Sequence, residues 1–204
     1  MTHSLRTTTQ LLESLRDPSD REVWFEFDGR YRPILIGFAQ RMGLGAEESE
    51  EVAQQTLAQF VEGYRDGQYD RSKGRLRNWI LGIARHRVID HQRRQGVRRQ
   101  WRGDSALDAV PDREDIEAIW RAEEERSILA RALTELRQTT RLEERTIRAF
   151  ELLTRAGRSP TEVATECGMS EDEVYLAKHR VTKRLREIVG KLRTLYEDGV
   201  GADD

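Results

Sequence analysis

The chain has 204 residues, 35 Lys/Arg against 37 Asp/Glu, and 35% charged side chains, too little apolar material for one large core but enough for two small modules. A single cysteine, Cys167, excludes an internal disulfide, and four scattered histidines without ligand spacing exclude a Cys/His metal site. The first 30 residues hold no apolar leader core and no later stretch approaches the roughly 18 apolar residues of a membrane span, so a reducing, cytoplasmic protein without membrane insertion is expected.

Apolar residues recur at three- and four-residue spacing almost throughout, which predicts an all-α chain. Residues 1–18 read as an N-terminal segment. Ser19-Asp20-Arg21-Glu22 has the spacing of a capping box and predicts a helix with Val23, Trp24 and Phe27, broken or kinked near Pro33. Gly43-Leu44-Gly45 ends that stretch. A helix from about Glu47 turns Val52, Leu57, Phe60 and Val61 inward and stops before Gly63, and a polar loop runs to Gly74. From Arg75, the stripe Leu76, Trp79, Ile80, Ile83, Ala84 and Val88 lies on a long helix whose other side is rich in arginine. Residues 98–115, with Gly103, Pro111 and scattered aspartates, read as a linker. The expected organisation is thus two small helical domains, 19–97 and 116–196, joined by that linker, with a frayed tail at 197–204.

Charge is segregated along the chain although the net charge is only -2. Arg71–Arg102 holds eleven Lys/Arg against one acid, Asp90; Asp104–Glu125 holds nine acids against two arginines; Lys178–Arg193 holds seven Lys/Arg against one glutamate. Two positive surfaces separated by a negative spacer fit a nucleic-acid partner better than the net charge implies. The spacer is a candidate shield for those surfaces in the free protein.

The most specific motif spans Arg158–Ile188. Ser159 precedes Pro160 and lies three residues before Glu162; Ser170 and Glu173 repeat the capping-box spacing; Cys167-Gly168-Met169 lies between. Two capped helices around a turn glycine predict a helix-turn-helix ending the second domain. Val174, Ala177, Val181, Leu185 and Ile188 form the inward stripe of its second helix, leaving Asp172, Tyr175, Leu176, His179 and Lys183 to face DNA bases. Arg158, Thr161, Arg180, Arg184 and Arg186 are placed for phosphates.

The first half determines which kind of DNA-binding protein this is. EESEEVAQQTLAQF (Glu47–Phe60) with GRLRNWILGIARHRVIDHQRR (Gly74–Arg94) resembles the second conserved region of extracytoplasmic-function sigma factors. Leu142–Leu192 resembles their fourth region, and VYLAKHRV (Val174–Val181) is similar to a planctomycete-like variant. The resemblance implies a factor, not an enzyme and without cofactor or metal, that binds core RNA polymerase through its largest-subunit clamp helices and flap, reads minus-35 promoter DNA and melts the minus-10 element. It places polymerase binding on Glu48, Glu51, Gln54 and Gln55, and minus-10 binding on Arg71, Lys73, Arg75, Arg77, Asn78, Trp79, Arg85, His86, Arg93 and Arg94.

Each assignment has a plainer alternative. Glu47–Glu51 also suit a helix N-terminus favoured by the macrodipole, and Trp79 also suits core packing. Gln55 and Thr56 depart from the acidic and apolar residues usual in the family; phosphorylation of Thr56 by a Ser/Thr kinase would restore a negative charge, whereas a threonine on a half-buried face would explain the residue without it. An anti-sigma factor is a compatible partner. The competing function is a free-standing helix-turn-helix regulator, which leaves the acidic and arginine-rich helices unexplained. No metal-flanking carboxylate pair, glycine-rich phosphate loop or activated nucleophile supports a nucleic-acid enzyme.

Overall fold

The computed structural model describes residues 6–196 apart from 18, 71, 73, 101–111 and 140–141, with the backbone alone at 95–100. Eight helices and no strand occur among the described residues: α1 (Thr8–Ser14), α2 (Arg21–Arg41), α3 (Ala46–Arg65), α4 (Leu76–Gln100), α5 (Arg113–Thr139), α6 (Glu144–Thr154), α7 (Pro160–Cys167) and α8 (Glu171–Tyr196). None of them is long and apolar enough to cross a membrane. Two compact units result, Met1–Ser127 with Leu195–Asp204, and Ile128–Thr194.

In the first unit α2 packs on α3 and α3 on α4. The core is aromatic at its centre: Phe27 stacks on Phe60 at 4.8 Å between centroids, and Phe60 meets Trp79 at 5.0 Å. Ile34, Leu35, Phe38, Leu57, Leu76 and Ile80 surround them, fully buried. Burying a large apolar side chain in this way contributes about 1.5–3 kcal/mol before the loss of conformational entropy is counted. Arg30, also fully buried, donates to the backbone carbonyls of Arg6 and Leu195 at 2.7 Å each and to Glu26 at 3.1 Å. A guanidinium out of water requires such partners, and here two of them are carbonyl groups near the chain ends.

Several boundaries differ from those the sequence predicts. α1 lies in residues 1–18, read above only as an N-terminal segment; Thr7 and Gln10 form its capping box. The cap of α2 is Asp20, which accepts from the Val23 N–H at 3.1 Å, while Ser19 donates to Asp17 instead. Asp20 wins because its carboxylate reaches the third amide of the first turn. α2 runs through Pro33 without interruption. α3 continues past Gly63 to Arg65, and α4 past Val97 to Gln100.

The linker is shorter than expected on its C-terminal side as well. α5 begins at Arg113, and its first half lies in the first unit. Trp120 is fully buried and meets Phe38 edge-on at 6.0 Å. Glu123, 3% exposed, pairs with Arg41 at 3.2 Å and Arg126 at 3.0 Å. Part of the expected acidic spacer is therefore core, because its acids share a helix with residues that bury. Asp104 and Asp108 lie outside the described residues, as does the tail at 197–204.

In the second unit Ala149, Leu152, Val163, Ala164, Val174 and Ala177 form the core, with Leu153, Cys167 and Met169 packed against it. Small residues at 149 and 164 allow α6 and α7 to approach closely.

Candidate nucleic-acid interface

The helix-turn-helix forms as its caps dictate. Ser159 accepts from the Glu162 N–H at 3.3 Å and its own N–H donates to the Glu162 carboxylate at 2.9 Å, with Pro160 at the first helical position. Gly168 closes α7 in the left-handed conformation at φ 61°, ψ 44°, where a side chain would be strained. Ser170 repeats the capping box, its N–H donating to Glu173 at 2.7 Å and its hydroxyl accepting from the Glu173 N–H at 3.2 Å. These serine N–H and hydroxyl groups hold the Glu162 and Glu173 carboxyls below their ordinary value of 4.5.

The two faces of α8 separate cleanly. Val174, Ala177, Val181, Leu185 and Ile188 are buried. Asp172, Tyr175, Leu176, His179, Arg180 and Lys183 are exposed or nearly so, Tyr175 at 54% and Leu176 at 45%. Two large apolar side chains left in water beside a basic helix constitute a surface built for contact. Three of the expected phosphate ligands already have partners: Arg158 pairs with Glu166, Arg184 with Glu187 at 2.9 Å, and Thr161 donates to Glu171 at 2.6 Å. Exposed pairs of this kind are weak and exchangeable, so phosphate can displace them.

The first unit presents a less separated surface on α4. Arg75, His86, Arg93 and Arg94 face solvent wholly or in part, as does Asn78. Arg77 and Arg85 are half-buried, each with an enclosed Nε lacking a hydrogen-bond partner, and Arg77 Nε lies 3.9 Å from Glu124. Trp79 stacks on Tyr69 at 5.4 Å with the rings 17° apart and abuts Phe60, so it belongs to an aromatic pile more than to an open surface. Gly63 makes room for it, since a Cβ there would come within 3.2 Å of Trp79 Cζ2. Arg71 and Lys73 lie outside the described residues.

On α3, Glu51 and Gln54 are exposed and Gln55 donates to Glu51 at 2.8 Å. Glu48 serves the fold itself, since it accepts from the Gly45 N–H at 2.8 Å, capping α3, and stands 3.5 Å from His91. Thr56 is fully buried, not half-buried, with its hydroxyl lacking a hydrogen-bond partner. Phosphorylation there would require α3 to open first.

Sequence reasoning missed a cleft of about 500 Å³ between α1 and the loop from α3 to α4, lined among others by Leu12, Glu13, Arg16, Tyr64, Tyr69 and Asp70. The Arg16 guanidinium lies over the Tyr64 ring, 5.9 Å from its centroid. The Thr-x-x-Gln spacing at Thr7–Gln10 was the one signal in the sequence for the helix that walls it.

Residues 28–98 match the family model for sigma-70 region 2, covering most of α2, all of α3 and the greater part of α4. The chain is also 28% identical over 134 residues to the ECF RNA polymerase sigma factor RpoE of Cereibacter sphaeroides, an alignment covering 64% of this chain and 70% of that protein. The matched residues lie within the aromatic-centred unit that carries the acidic and arginine-rich helices, so that unit contains a sigma-70 region 2, and the chain is similar to a sigma factor of the extracytoplasmic-function type.

Proposed function

We propose that the chain gives promoter specificity to core polymerase through three surfaces. The exposed face of α3 at Glu51, Gln54 and Gln55 docks on the clamp helices of the largest subunit, where carboxylates and amides pair with basic side chains, steering association and fixing register. The α4 side chains Asn78, His86, Arg93 and Arg94, with Arg75 just ahead of the helix and Arg77 and Arg85 at its edge, hold one strand of the opened minus-10 element by its phosphates. The outer face of α8 reads the minus-35 element in the major groove, with Leu176 against a thymine methyl and His179 and Lys183 donating to guanine.

The observation that carries this reading is α8. Its apolar stripe is wholly consumed by the core while Tyr175 and Leu176 stand in water on the opposite side, flanked by basic residues and preceded by a rigidly capped turn. Glu48 acts as a cap and contributes to polymerase binding by setting the start of α3.

Reconstituted transcription tests the proposal. The purified chain is added to sigma-free core polymerase with fragmented genomic DNA, and transcript starts are sequenced. New starts preceded by two shared sequence elements are expected. A folded protein that binds DNA fragments but neither binds core polymerase nor creates starts overturns the proposal in favour of a free-standing regulator.

A further inference from the structure

A groove of about 640 Å³ lies between α2 and α3. The two helices run antiparallel: Arg32 pairs with Glu50 at 3.6 Å toward one end, and Arg21, Phe25, Ala58 and Glu62 line the groove toward the other. Val61, buried, and Trp24, half-buried, complete its apolar lining. Phe25 is 71% exposed, the most of any large apolar side chain among the described residues. A lone exposed ring needs no explanation, but this one stands beside further apolar surface and opposite a small residue, Ala58, that is itself exposed.

The rim carries both signs of charge. Arg21 lies on α2 and Glu62 on α3, with Arg65 and Asp66 closing the end of the groove. Among the described residues neither Arg21 nor Glu62 is engaged in an ion pair, whereas Arg65 donates to the Leu15 carbonyl at 3.2 Å. A nucleic acid is repelled by Glu62 and Asp66, and a partner surface of one sign leaves one pair of rim charges facing its like. A second copy of the groove meets neither objection. A two-fold axis parallel to the helices sets α2 of one copy over α3 of the other, so that Arg21 faces Glu62 and the Phe25 ring falls on Ala58, where the side chain is small enough to admit it.

We infer that the free chain pairs with a second copy of itself through this groove, with Phe25 as the central anchor, and that the pair excludes core polymerase. Gln54, Ala58 and Glu62 follow one another at four-residue intervals and are all exposed, so they share one face of α3, and a copy seated on Ala58 covers Gln54 as well. The exclusion rests on the proposed docking of α3 on polymerase; the pairing does not. A patch of a few helical turns on each copy is at the small end of specific interfaces, so the dimer is weak, with a micromolar dissociation constant, and core polymerase displaces it.

Sedimentation equilibrium of the full chain from about 1 to 100 μM should show monomer passing into dimer. Phe25→Asp weakens the pairing by about thirtyfold or more. Arg21→Glu weakens it by about fivefold, and Arg21→Glu combined with Glu62→Arg restores most of that loss, which a damaged fold does not do. Thermal melts establish that each variant is folded. A chain that stays monomeric at the highest concentration, a dimer untouched by Phe25→Asp, or a charge swap no better than Arg21→Glu alone overturns the pairing. Core polymerase is then added to the dimer, and complexes with one chain per core are expected to replace it, with Phe25→Asp binding core as the unaltered chain does. A complex that holds two chains per core overturns the exclusion. If neither the unaltered chain nor Phe25→Asp binds core, the polymerase reading fails and the exclusion with it, while the sedimentation of the free chain decides the pairing by itself.

Discussion

The arginine-rich helices α4 and α8 look alike as sequence, yet they use their side chains differently. On α8 the residues that hold the fold and those offered to DNA lie on opposite faces, and Tyr175 and Leu176 take no part in the core. On α4 the two sets overlap: Trp79 is locked between Phe60 and Tyr69, and Arg77 and Arg85 are half enclosed. α8 therefore has the layout of a reading surface mounted on a scaffold, whereas the face of α4 proposed for nucleic acid is part of its own scaffold. Substitutions on α8 should separate DNA binding from stability; those on α4 should not.

The largest expected effect sharpens that contrast on α4. Trp79→Ala removes a ring from the aromatic pile and is expected to destabilise the first unit by roughly 3 kcal/mol, read as a lower urea midpoint with an unchanged slope. A loss below about 1 kcal/mol would mean the ring is held loosely enough to serve as a stacking platform, which would erase the distinction from α8.

Next in size is the turn that aims α8. Gly168→Ala forces a Cβ into the left-handed region at φ 61° and should cost about 1–2 kcal/mol in the second unit. Ser170→Ala removes the hydroxyl that caps α8 and should cost about 1 kcal/mol, measured by the same urea titration.

The paired capping boxes also carry a pH signature. Glu162 and Glu173 have carboxyls held below 4.5 in the folded state by the Ser159 and Ser170 groups, so the unfolded chain takes up protons first as pH falls. Their stabilising contribution is complete above about pH 5 and is lost as pH drops through their lowered folded values. Chemical shifts of the two carboxyls should titrate below 4.5, and the Ser159→Ala and Ser170→Ala variants should move each back toward it. Titration at or above 4.5 in the unaltered protein would show that the capping boxes do not form in solution.

The smallest stability effect is expected where the recognition effect is clearest. Leu176→Ala should change stability by no more than about 0.5 kcal/mol while weakening binding to the preferred minus-35 DNA by about 1 kcal/mol or more, relative to a site with the contacted thymine replaced. Equal loss on both DNAs would show that Leu176 does not read a base.

The elements themselves were largely legible. The stripes at Val52–Val61 and Leu76–Val88 and the two serine caps of the helix-turn-helix are local patterns, and local hydrogen bonding with burial of one face is enough to specify them. Boundaries were less so. Ser19 and Asp20 both had capping chemistry, and the choice depended on which oxygen met the Val23 amide. α5 hid its role because nine acids between Asp104 and Glu125 read as a solvated spacer, although Trp120 and Glu123 are buried.

By itself, then, the sequence determined that the chain is helical, that its positive charge is gathered on two helices, and that one of them follows a capped turn. These properties depend on residues within a few positions of each other, where spacing and side-chain chemistry suffice. Only the tertiary structure decided which charges are available. Glu48 became a cap, Arg30 an internal ligand for two carbonyls near the chain ends, Trp79 a member of an aromatic pile, and Tyr64, Tyr69 and Arg16 the walls of a cleft. Those roles depend on partners as far as 165 residues away in the chain, and a contact over that distance leaves no periodic trace.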